Sequence, residues 1–213
     1  MRKDEQNVTK SLLTAGAIAG PLYIVVGLTQ ALTRPGFDIT RHALSLLSNG
    51  DLGWIQITNF ILSGLLVIAG ALGIRRAIEG RGKNWGTLLI GVYGLSLIGA
   101  GIFKADPAVG FPLGTPESST TMSTHGMLHF MTGGIGFLAL IVACFVFARR
   151  FGSMGEKSWA IYSIFTGIVF FASFVGIASG SGNPWTILGF WIGLIFAWTW
   201  ISLYTRRLMT EHS

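Results

Sequence analysis

Six apolar stretches, at 11–33, 54–74, 85–103, 127–148, 158–179 and 185–205, contain no Lys, Arg, Asp or Glu. A hydrocarbon core of roughly 30 Å needs about 20 apolar residues at a rise of about 1.5 Å each. Each stretch is therefore expected to be a membrane-crossing helix, and the chain an all-α membrane protein, a bundle of six transmembrane helices. Only 11% of the 213 residues are charged, too few for a separate soluble domain. Residues 1–213 are thus expected to form a single six-span domain. The first stretch outruns the roughly 7–15-residue apolar region of a signal peptide. No small-residue cleavage site follows it, so it is read as a retained span, bent or started afresh at Pro21.

The basic residues are divided unequally between the connections. One side holds Arg2, Lys3, Lys10, Arg75, Arg76, Arg81, Lys83, Arg149, Arg150, Lys157, Arg206 and Arg207; the other holds Arg34, Arg41 and Lys104. Basic residues near span ends stay in the cytoplasm, so the expected topology has both termini inside. Trp54 and Trp185 then open spans at the outer interface, and Trp85 and Trp159 at the inner one. The net charge of +6 is explained by these span ends and their attraction to anionic headgroups. The lipid bilayer is the expected partner and nucleic acid is not.

Cys144 is the only cysteine, which rules out an internal disulfide and leaves it as a small packing residue. Thirty glycines, among them Gly16 with Gly20, Gly133 with Gly136 and Gly189 with Gly193, allow helix backbones to approach closely in lipid. Oligomeric state is left open.

Reactive side chains gather in three pieces on the outer side. In the first outer loop, Asp38 reads as an N-cap and Asn49-Gly50 as a stop, predicting a short interfacial helix over 39–48. Asp38, His42 and Ser45, at i, i+4 and i+7, would share one side of it. A catalytic triad needs convergence in one plane that a straight helix rarely permits, so a cap, an interfacial histidine and a surface hydroxyl are the plainer reading. Arg41 and Thr40 lie elsewhere on that helix. The second piece, 104–124, is rich in Pro, Gly, Ser and Thr and contains Asp106-Pro107; 118–121 reads as mobile. It is a lid or a plain linker. The third is His125-Gly126-Met127-Leu128-His129, where two imidazoles one turn apart could bind zinc. The Glu of a metalloprotease helix is missing, so a further ligand would have to come from Asp38, His42 or Asp106. On the second span, Gln56, Asn59 and Ser63 make a polar stripe that has to face the bundle interior, as a ligand path or as interhelical hydrogen bonds.

The run from Phe37 to Ser45, Gly53-Trp54, the run from Gly101 to Pro107 and the 125–129 segment together resemble the bacterial and archaeal membrane family called domain of unknown function 998. The resemblance covers nearly the whole chain. It implies six spans and a place in the cell membrane, and it brings no established activity.

The leading functional expectation is a multi-pass plasma-membrane protein with an outward-facing polar pocket. Asp38, Arg41, His42, Ser45, Asn59, Asp106, His125 and His129 are its candidate residues, and the pocket would bind or move a small amphipathic or lipid-like ligand. One alternative is a metal-assisted hydrolase acting on a lipid headgroup, with zinc on His125 and His129; another is a non-catalytic accessory subunit. No cofactor is firmly implied.

Overall fold

The structure is a computed structural model that describes residues 3–118, 121–180 and 182–211. Ser119 and Thr120, in the segment expected to be mobile, lie outside the described residues, as does Ser181 in the last connection. The described residues form α1 (Lys3–Thr33), α2 (Gly53–Ala77), α3 (Lys83–Ile102), α4 (Thr124–Ser153), α5 (Lys157–Ala178) and α6 (Pro184–Glu211). All six are long and apolar enough to cross a membrane. They extend past the apolar runs because flanking polar residues continue the backbone hydrogen bonding: the charged head is part of α1, and α1 passes Pro21 as one element rather than starting afresh there.

Successive helices pack side by side, and α6 closes against α1, so the bundle is a ring in chain order. Small residues set the tightest seam. A Cβ on Gly16 would stand 2.9 Å from the Cα of Gly70 and 2.8 Å from Thr205 Cγ2, so α1 and α2 meet backbone to backbone. The core is aromatic: Tyr23, Tyr93, Phe147, Phe170, Trp198, Trp200 and Tyr204 are all buried. Trp54, Trp85 and Trp185 project from the bundle, as interfacial anchors do, whereas Trp159 packs inward against Tyr204 beneath the Arg207 guanidinium.

With six crossings, the termini share one end of the bundle. The α1–α2, α3–α4 and α5–α6 connections share the other, here the loop end. At that end the ring loosens. Between Gly126 and Gly136, α4 buries no residue fully, and α5 buries none beyond Phe170.

The short helix expected over 39–48 is present in a narrower form. Residues 39–41 form a turn, and a 3-10 helix follows at Leu44–Ser48. Local polar capture explains the difference. Asp38 Oδ1 accepts hydrogen bonds from the Thr40 N–H and hydroxyl, at 2.8 and 2.7 Å, a turn that competes with helix. Leu44, Leu46 and Leu47 are buried, so the 3-10 segment is tucked against α1 and α2.

Candidate ligand cavity and the clasp above it

His42 holds the loop end together. Its ring is buried, and Nδ1 accepts the Asp38 backbone N–H at 2.8 Å. An accepting Nδ1 carries no proton, so the neutral ring has its hydrogen on Nε2, which donates to the Val109 carbonyl at 2.9 Å. One imidazole therefore joins the α1–α2 connection to the α3–α4 connection. Trp191 of α6 donates its indole N–H to the His42 carbonyl at 3.2 Å, tying both loops to the bundle.

Aromatic and cationic contacts complete this clasp. Phe37 meets Phe111 edge-on with centroids 5.1 Å apart, and Arg34 lies 5.1 Å above the Phe111 ring. The same guanidinium donates to the carbonyls of Leu47 and Asn49, each at 2.6 Å, closing the end of the 3-10 helix. Arg41 reaches Glu117 at 2.5 Å in an exposed ion pair, a contact worth about 0–1 kcal/mol. Arg34, Val109, Phe111 and Trp191 carry no warning in the sequence, because contacts between distant loops leave no spacing pattern.

Asp106 serves α4. Its carboxylate accepts the Ser123 N–H at 2.8 Å and the Ser123 hydroxyl at 2.5 Å, while Ser123 Oγ accepts the Gly126 N–H at 3.0 Å. Ser123 is thus the N-cap, and a negative charge sits beside the positive helix terminus. A side chain at Gly126 would run into the Asp106 carboxylate.

His125 is exposed and edge-on to Phe103, with centroids 5.9 Å apart. His129, one turn deeper, faces the last turn of α3, and its Nδ1 is 3.1 Å from the Ala100 carbonyl and 2.7 Å from that of Phe103. Two carbonyl partners require the proton on Nδ1, which leaves Nε2 of the neutral ring as an acceptor. No group of three or more His, Cys, Asp or Glu placed to hold a metal ion is found among the described residues.

The polar stripe of α2 is a helix seam. Gln30 Nε2 donates to Gln56 Oε1 at 2.9 Å, Asn59 Nδ2 to the Tyr23 carbonyl at 3.2 Å and Ser63 Oγ to Asn59 Oδ1 at 3.3 Å. Asn59 is buried in this α1–α2 network, apart from the cavity described next.

Where α4 and α5 loosen, a cavity of about 180 Å³ is lined by Tyr23, Phe60, Phe137, Phe174, Phe190 and Leu194, by Gly133 and Gly134, and by Ala43, Leu44, Ser45 and His129. Nothing lies within 4 Å of where a Gly133 Cβ would stand. The candidates named from the sequence thus separate: Ser45 and His129 share the cavity, His42 sits in the clasp, Asp38 and Arg41 in the α1–α2 connection, Asp106 at the α4 cap, His125 exposed beside Phe103 and Asn59 in the α1–α2 seam.

A ring of six membrane-spanning helices with a side cavity under a two-loop clasp defines a polytopic membrane protein. The chain belongs to the family described as "Protein of unknown function (DUF998)", whose model matches residues 17–207. No curated protein and no solved structure matches it.

Proposed function

We propose that this protein binds a small amphipathic or lipid-like molecule in the cavity at the loop end, with that end facing outward from the plasma membrane. One observation carries the reading: His129 is anchored through Nδ1 to the end of α3, which leaves Nε2 as a hydrogen-bond acceptor in a site otherwise lined mainly by apolar groups, aromatic and aliphatic. Such a site suits an apolar body with one donor at its end, for instance a hydroxyl, and Ser45 offers a second polar contact. Pockets for drug-sized ligands occupy roughly 300–1,000 Å³, so 180 Å³ fits a short molecule or the end of a longer chain whose remainder stays in lipid between α4 and α5. A zinc-assisted hydrolase would need further ligands near His129 Nε2. Asp38, His42 and Asp106 are engaged with Thr40, Val109 and Ser123, which favours the binding reading.

The test is photolabelling of the purified full chain with a diazirine-bearing long-chain alcohol. Labels are expected within 130–137 and 174–177, and Gly133→Leu, which fills open space, should abolish them. Labels spread evenly over all lipid-facing helices, or unchanged in Gly133→Leu, would overturn the proposal.

A further inference from the structure

We propose that the α2–α3 face, at the end of the bundle that carries the termini, is a binding site for an anionic phospholipid, separate from the loop-end cavity. Between α2 and α3 runs a lipid-facing groove of about 340 Å³ formed by Ile68, Leu72, Leu88, Gly91, Val92 and Leu95. Leu72, Leu88 and Leu95 are each more than half exposed, and no atom lies within 4 Å of a Cβ placed on Gly91. The groove runs from Arg75 to Ile68, seven residues or roughly 10 Å along the helix, long enough for the proximal part of an acyl chain.

Beside its end lies a second cavity, about 540 Å³ in volume, lined by Leu12, Leu72, Arg75, Arg76 and Lys83. Leu72 and Arg75 border both spaces, so an apolar slot and a cationic cradle are adjacent. Lys83 is paired with Glu79 at 2.5 Å, and Arg76 uses Nε on Thr9 Oγ1 at 3.2 Å. Arg75 has no ion-pair partner among the described residues. The connecting loop is braced from the far side, where Arg150 donates to the carbonyls of Glu79 and Arg81 at 2.5 and 2.8 Å. Arg75, Arg76 and Lys83, of which Lys83 is paired with Glu79, match a phosphodiester, and the slot matches its tail.

The experiment is native mass spectrometry of the full chain in mild detergent, titrated with phosphatidylglycerol or with phosphatidylcholine of the same chains. Wild type should bind phosphatidylglycerol about tenfold more tightly, and Arg75→Gln should lose about fivefold of that affinity, the scale of one basic residue at a charged membrane surface. Gly91→Leu should weaken both lipids by filling the slot. Arg149→Gln, at an exposed cation of the same end that lines neither space, should change nothing. Equal affinity for the two lipids, or equal effects of Arg75→Gln and Arg149→Gln, would overturn the site. So would displacement of the lipid by inorganic phosphate at the lipid's own concentration, because the slot would then contribute nothing.

Discussion

The imidazole of His42 is bonded at both nitrogens, accepting the backbone N–H of Asp38 and donating to the carbonyl of Val109, 67 residues away. A ring used this way is a two-ended strut between the α1–α2 and α3–α4 connections. Its replacement by Ala removes two part-buried hydrogen bonds, each worth about 0.5–1.5 kcal/mol. His42→Ala should therefore speed amide exchange at Asp38 and through 108–111 while the helix centres keep their protection. Nitrogen NMR of the wild type should show the neutral ring protonated at Nε2. Unchanged exchange in the variant would contradict the strut.

Acid should loosen the α1–α2 connection from a different residue. The two bonds from Thr40 hold the Asp38 carboxyl below its usual range, with lesser help from the nearby His42 and Arg41. A depressed folded value means that the stabilisation is full above the unfolded-state pKa and is lost as pH falls through the folded one. The Thr40 amide should thus be protected at neutral pH and exchange faster in strong acid, relative to its intrinsic rate. Asp38→Asn, whose side-chain oxygen can accept the same bonds, should remove that acid step.

The start of α4 rests on Ser123 and Asp106. Ser123→Ala should cost about 1 kcal/mol, as loss of an N-cap does, read as reduced protection of the 124–128 amides or a lower unfolding midpoint in detergent. Gly126→Ala should destabilise further, because the added methyl meets the Asp106 carboxylate; pairing it with Asp106→Ala should recover part of the loss.

The charge division predicts which way the bundle faces. Reporter fusions at Lys83 and after Glu211 should report the cytoplasm, and one at Glu117 the outside. An outside signal at Lys83 would reverse the orientation and put the clasp in the cytoplasm.

The fold was legible because each span is written as an uninterrupted apolar run, a signal that needs no tertiary context. The candidate site was legible by region and less so by atom. Asp38 and His42 do touch, but through a backbone N–H, since Thr40 captures the carboxylate first. Asp106 looked chemically free in its loop, yet it is fixed to a helix cap whose partner lies 17 residues on. Gly133 and Gly136 read alike as packing glycines. In the fold Gly136 meets Ser96 of α3 while Gly133 faces open space at the cavity wall. Nothing in the pattern of one helix encodes that gap.

The central claim is that His129 Nε2 is the polar contact of a ligand cavity, and nitrogen NMR of selectively labelled histidine in the detergent-solubilised chain tests it most directly. On titration with a long-chain alcohol, the acceptor Nε2 of His129 should shift while its Nδ1, held by Ala100 and Phe103, stays nearly fixed, and Gly133→Leu should suppress the response. A His129 ring that does not respond, or that responds equally in Gly133→Leu, would contradict the account.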